Sequence, residues 1–95
     1  MTNHRMHGAG LYNTHDRKIA TTRGESIYDA ADRRIGAVHG DDLFDTEGRI
    51  MMHIRGHNIY DAENKKVAAF SEALESIDGV VEGNLRAALW YCFVR

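Results

Sequence analysis

The chain predicts a mainly β fold: an antiparallel meander of four sixteen-residue β-hairpin repeats, followed by a C-terminal helix. Three observations carry this. Glycine recurs without a slip at 8, 24, 40 and 56. After each glycine come an aliphatic residue (Leu11, Ile27, Leu43, Ile59) and an aromatic one (Tyr12, Tyr28, Phe44, Tyr60). From Ser71 onward the apolar residues change period, falling three and four apart at Leu74, Ile77, Val81, Leu85, Ala88 and Cys92. Self-similarity at a fixed short period marks a repeat architecture, and sixteen residues hold two strands and two turns but not two ordinary helices. One domain covers 1–95, with repeats over 8–70 and a helical segment over 71–95.

The N-terminal residues are polar, but Met6 stands where Val38 and Ile54 stand before later glycines, so a strand near 4–7 opens the sheet. Within each repeat, Asn13, Asp29, Asp45 and Asp61 begin a loop. That loop ends on Asp16, Asp32, Gly48 and Asn64, with a base next (Arg17, Arg33, Arg49, Lys65). Only Gly, Asn and Asp fill the fourth column, the types that enter the left-handed region cheaply. This predicts a type I turn with a left-handed residue and a bulge. The aspartates are accounted for as turn formers that bond the backbone ahead. In that register Ile27 faces Ile35, Leu43 faces Met51, and Ile59 faces Val67.

The other turn centres on Gly24, Gly40 and Gly56 and suits a two-residue type II′ reversal, which pairs Val38 with Leu43. Ile35 and Val38 then point to opposite faces unless a bulge lies between them. The expected places are Ala20-Thr21, Gly36-Ala37, Met52-His53 and Ala68-Ala69. Eight short strands follow for residues 8–70. A parallel solenoid is the rival; the facing charge pairs Asp29–Arg33, Asp45–Arg49 and Asp61–Lys65 favour the meander.

Ser71 reads as an N-cap with Glu72 just inside. Gly79 and Gly83 disfavour a helix interior and predict a break near Gly79, or a stripe where another backbone comes close. The end, Ala-Ala-Leu-Trp-Tyr-Cys-Phe-Val, is apolar all round and requires burial on more than one side. One small sheet covers one side only. A homodimer is therefore expected, with Leu85, Leu89, Trp90 and Phe93 at its interface.

The pattern G-x-x-I-Y-D-x-x-(G/N/D)-R-x-I-G resembles the tandem hairpin repeats of small bacterial proteins. It is distantly similar to the aromatic hairpin repeats of choline-binding modules. The resemblance covers 8–71 and implies stacked hairpins. Choline-binding repeats build their cage from tryptophan, and these repeats hold none, so no ligand is carried over.

Function classes narrow by exclusion. Residues 1–70 carry ten bases and ten acids, and the whole chain is −2. That balance offers no electrostatic case for nucleic acid. The lone Cys92 permits a reducing compartment and reads as a small buried hydrophobe. The N-terminus lacks a signal-type apolar run and Ala87–Val94 is too short to span a bilayer, so a cytoplasmic setting is expected. No phosphate loop, dinucleotide fingerprint or nucleophile elbow occurs, and every polar feature is repeated, so no catalytic residue and no cofactor is assigned.

Three readings remain. The first is an interaction or scaffold protein without catalysis. The second is a module that uses Tyr12, Tyr28, Phe44 and Tyr60 to hold carbohydrate or peptide. In this register Lys18, Arg34 and Lys66 lie opposite three of those rings, so packing and cation–π contact explain the row without a ligand. The third is histidine-dependent metal binding, through the six histidines or a Thr2-Asn3-His4 terminus able to hold Cu(II) or Ni(II). His39 shares its column with Arg23 and Arg55 and reads as a surface cation, so no metal ligand is assigned.

Overall fold

The computed structural model describes residues 3–95. Its sheet has ten strands. The first nine run in chain order: β1 (His4–His7), β2 (Gly10–Tyr12), β3 (Lys18–Arg23), β4 (Ser26–Asp29), β5 (Arg34–His39), β6 (Asp42–Asp45), β7 (Ile50–Arg55), β8 (Asn58–Asp61) and β9 (Lys66–Ala69). All their pairings are antiparallel, so the repeats form the expected meander. Next comes α1 (Phe70–Ser76), then the two-residue β10 (Ile77–Asp78), which pairs in parallel with β1. The chain ends in α2 (Gly83–Leu89) and a π-helical turn (Trp90–Val94).

Both turn types arise from the residues that predict them. Gly24 has φ 61°, while Glu25 is not among the positive-φ residues, the signature of a II′ turn. Val38 pairs with Leu43 across the equivalent turn at Gly40. In the other loop, Asp29 Oδ1 accepts from the backbone N–H of Ala31 (2.9 Å) and Arg33 (3.0 Å), and Asp32 sits at φ 65°. The copies at Asn13, Asp45 and Asp61 repeat these bonds. Of the facing charge pairs, Arg33–Asp29 (3.2 Å) and Arg49–Asp45 (3.6 Å) form, whereas Lys65 turns to Glu63 (3.9 Å). All lie at the surface, where such pairs contribute little.

The bulge lies one residue earlier than expected. Ile27 pairs with Gly36 and Tyr28 with Arg34, which leaves Ile35 as the extra residue; the ladder then runs unbroken from Gly36 to Val38. Likewise Leu43 pairs with Met52 and Ile59 with Ala68, so the pairings with Ile35, Met51 and Val67 do not occur. Packing explains the shift. The bulge sends Gly36 and Val38 to one face as buried residues and leaves Ile35 at the core's margin. Opposite the large Leu11, Ile27 and Ile59 the buried partner is then Ala20, Gly36 or Ala68, which leaves room for a helix.

The sheet curls. Ten flat strands at about 4.8 Å spacing would measure roughly 43 Å across, yet the longest dimension is 33 Å. α1, seven residues and about 10 Å long, reaches from β9 at one edge to β10 at the other. α2 lies against the inner face of this curl. Its start is anchored at the Gly40 turn, where Asn84 Nδ2 donates to Gly40 O (2.9 Å) and Asp41 Oδ1 (3.0 Å).

The helical segment breaks at Gly79, as one of the two expectations had it, and a two-residue strand lies between the two helices. α1 starts at Phe70, with Ala69 in the cap position and no side-chain cap; Ser71 falls inside the first turn. Phe70 N–H still donates to His57 O (2.8 Å), so the last rung of the β8–β9 ladder runs straight into the helix. At Gly79 the φ is 109°, and a Cβ there would stand 2.6 Å from Met6 O, so a break and a close backbone approach meet at one residue. The cap is Glu82, whose carboxylate accepts from Asn84 N (3.0 Å) and Leu85 N (3.1 Å). Arg86 ties the pieces together by donating to Leu74 O (3.2 Å), Gly79 O (2.7 Å) and Val81 O (3.4 Å).

The covering that this apolar helix requires comes from its own sheet. Leu89 is 0 % exposed, Trp90 8 % and Leu85 9 % within one chain, and Leu11, Ile27, Leu43 and Ile59 are each 0 %. The premise that one sheet covers only one side of the helix fails because the sheet is curved. Of the four residues expected at a subunit interface, only Phe93 stays half-exposed.

Candidate functional site

Alternation along each strand sorts the side chains. With Leu11, Ile27, Leu43 and Ile59 inside, their neighbours Tyr12, Tyr28, Phe44 and Tyr60 stand on the outer face, half-exposed. The helices lie on the opposite, inner face. The structure thus brings all four aromatic residues to one open surface.

Each ring has a basic or imidazole neighbour on that face. Arg5 lies over Tyr12 (5.6 Å to the centroid), Arg23 over Tyr28 (4.6 Å) and Arg55 over Tyr60 (5.6 Å). His53 stacks on Tyr60 at 5.3 Å and 11°, His7 meets Tyr12 edge-on, and His39 meets Phe44 edge-on. Lys18, Arg34 and Lys66 pair with Tyr12, Tyr28 and Tyr60 across the other ladder, as expected. The cations over the rings come instead from Arg5, Arg23 and Arg55. Three tyrosines therefore have a cation on either side, Arg23 and Arg55 reaching Tyr28 and Tyr60 diagonally because Thr21 and His53 stand directly opposite. The third repeat reads His39–Phe44–Ile50, with Ile50 44 % exposed.

The charge is segregated by face. Six strand cations (Arg5, Lys18, Arg23, Arg34, Arg55, Lys66) point outward, against two strand carboxylates, Asp42 and Asp78. The remaining repeat acids sit in the turns and at the strand ends that lead into them. A count over residues 1–70 gives zero because it averages the outer face with the turns. The signal that separates them was strand pairing: each of these cations stands opposite an outward ring or beside one on the same face.

Other features are committed to structure. A cleft of about 400 Å³ lies between Gly24, Val38, Gly40 and the start of α2, but two of its three polar side chains are used, Glu82 as a cap and Asn84 on Gly40 and Asp41, and the third, Glu25, is exposed. Among the described residues no group of three His, Cys, Asp or Glu gathers as a metal site. The Thr2-Asn3-His4 terminus lies partly outside the described residues. Burial pushes the Cys92 thiol up to about 11, with Arg95 pulling the other way. Among the described residues no helix is long and apolar enough to cross a membrane.

Tandem hairpins in four copies, joined into one curled sheet, define a class of small repeat protein. Residues 9–83 match the 4-fold beta flower protein family, and the chain belongs to it. No curated protein and no solved structure matches the chain.

Proposed function

We propose that this chain is a small interaction module without catalytic activity and that its working surface is the outer face of the sheet. The observation that carries this reading is the open row of Tyr12, Tyr28, Phe44 and Tyr60 interleaved with cations. The core already lies on the other face, so burial of apolar surface does not account for that row. Repeated, near-identical rungs suit recognition of an extended partner and do not suit a reaction, which needs one asymmetric site. Among ligands, the reading favours a polypeptide over a carbohydrate, because the ring faces that sugars stack on already carry guanidinium or imidazole groups.

The test is capture of partners by the tagged full chain, followed by native mass spectrometry. Thr21→Glu and Ala37→Glu place bulk and charge on the outer face beside Tyr28 and Phe44. Both should release a partner that wild type holds. Retention by both variants assigns the partner to another surface.

A homodimer is a narrower proposal. Tyr91, Phe93 and Val94 are the half-exposed apolar residues at the chain end through which two copies can meet. A mass that doubles with concentration in light scattering supports it; a constant monomer mass ends it.

A further inference from the structure

The repeats act as controls for one another, and one that keeps both the tyrosine and its cations lacks the carboxylate. In the second repeat Arg23 lies over Tyr28 and is met by the loop carboxylate of Asp32, at 3.1 and 3.3 Å. In the first repeat the cation comes from a different column, that of Thr21 and His53: Arg5 stands directly opposite Tyr12, lies over its ring and is met by the equivalent loop carboxylate, Asp16. The fourth repeat reproduces the second, sixteen residues at a time: Arg55 lies over Tyr60, and Lys66 stands opposite the ring as Arg34 does. But at the place of Asp16 and Asp32 it has Asn64, in the same left-handed conformation (φ 67° against 64° and 65°). Among the described residues no carboxylate pairs with Arg55 or Lys66.

We infer that the Arg55–Tyr60–Lys66 rung is a carboxylate site completed in trans, by an acidic, extended segment of a partner protein. This deepens the interaction-module reading and rests on it. The chain itself displays the occupant's chemistry, because in the sister repeats the group on the guanidinium is an aspartate. A guanidinium over a ring keeps its fork of donors free at the edge for a carboxylate. The two cations lie two strands apart, about 10 Å. Acidic residues two or three positions apart in an extended chain span about 7–10 Å. A single exposed ion pair is weak, so the partner must carry several carboxylates. A nucleic acid fits less well: Arg55 and His53 already pack on Tyr60, which leaves no ring face for a base.

The experiment uses the full-length protein and a fluorescent poly-glutamate peptide, read by anisotropy at low salt. Asn64→Asp installs the internal carboxylate that the sister repeats have, at a position where Asp is already tolerated. It should weaken binding roughly two- to five-fold with an unchanged melting temperature. Asp32→Asn opens the second rung and should strengthen binding by a similar factor. Arg55→Gln should weaken it. Unchanged affinity in Asn64→Asp overturns the proposal, as does an oligothymidylate that displaces the peptide more effectively than unlabelled poly-glutamate. If those failures occur while Thr21→Glu still releases a captured partner, the outer face remains the working surface and only the acidic partner is lost.

Discussion

The repeats and the closing segment solve opposite problems. From Gly10 to Ala69 nearly every backbone hydrogen bond is local, made across a turn of two or three residues. Each copy buries one large aliphatic side chain and a partner that is small in three cases of four. From Phe70 to Arg95 the contacts are long-range. α1 and β10 link the sheet's two edges, Asn84 holds the Gly40 turn, and Leu89 sits at 0 % exposure among residues of the repeats. The repeats thus supply pattern and curvature, and the closing segment supplies the volume that the curved sheet encloses. A hairpin array with so little side-chain volume of its own lacks a core until that segment arrives.

The sharpest way to break this comparison is to delete residues 70–95. The remaining hairpins should lose cooperative unfolding and dispersed amide signals; a folded, cooperative remnant by NMR would show that the repeats suffice alone. Next in size is Leu89→Ala, which opens a cavity in the shared core and should cost about 2–5 kcal/mol in denaturant unfolding. Arg86→Met should cost about 2–3 kcal/mol, because three carbonyls of the closing segment lose a charged donor.

Smaller effects test the local half. Asp29, Asp45 and Asp61 are held below the ordinary value of 3.8 chiefly by the N–H groups of Arg33, Arg49 and Lys65, with burial opposing. A lowered folded-state value means that their contribution is whole above the ordinary value and is lost as pH falls through the folded one. Asn13 makes the same turn without titrating. The triple change of Asp29, Asp45 and Asp61 to Asn should therefore leave neutral-pH stability nearly unchanged and flatten its decline in acid, as followed by melting at graded pH. The smallest effect concerns Cys92. A rise from 9.0 to about 11 leaves about a hundredfold less thiolate in the folded chain. Labelling by a thiol reagent at mildly alkaline pH should accordingly be slow until denaturant is added.

What could be read from sequence followed the same division. Turn chemistry is decided by two to five neighbouring residues, so both reversals, the strand order and the Val38–Leu43 register were legible. The bulge at Ile35 was misplaced by one residue because turn chemistry does not choose between Ile35 and Gly36 as the inward residue. The inner place suits glycine because a Cβ there would stand 2.5 Å from Phe44 O. The break at Gly79 was legible, but β10 was not, since Ile77 fits a helical period as well as a strand. The tyrosine row was found; Arg5, Arg23 and Arg55 over its rings were missed, because charge was summed along the chain and not by face. The argument for a second subunit assumed a flat sheet that covers one side of the helix; curvature supplies the second side within one chain, so burial of the helix no longer carries that argument.

A tether of fixed length makes the fold count its own copies. α1 spans one separation between the first and last strands, and a fifth hairpin widens that gap by about two strand spacings, roughly 10 Å. An array whose ends are joined by a rigid strut cannot grow one unit at a time, unlike an open solenoid. Slippage in a repetitive coding stretch should thus yield unfolded chains, not longer ones, which melting of a variant carrying a second copy of residues 24–39 would measure.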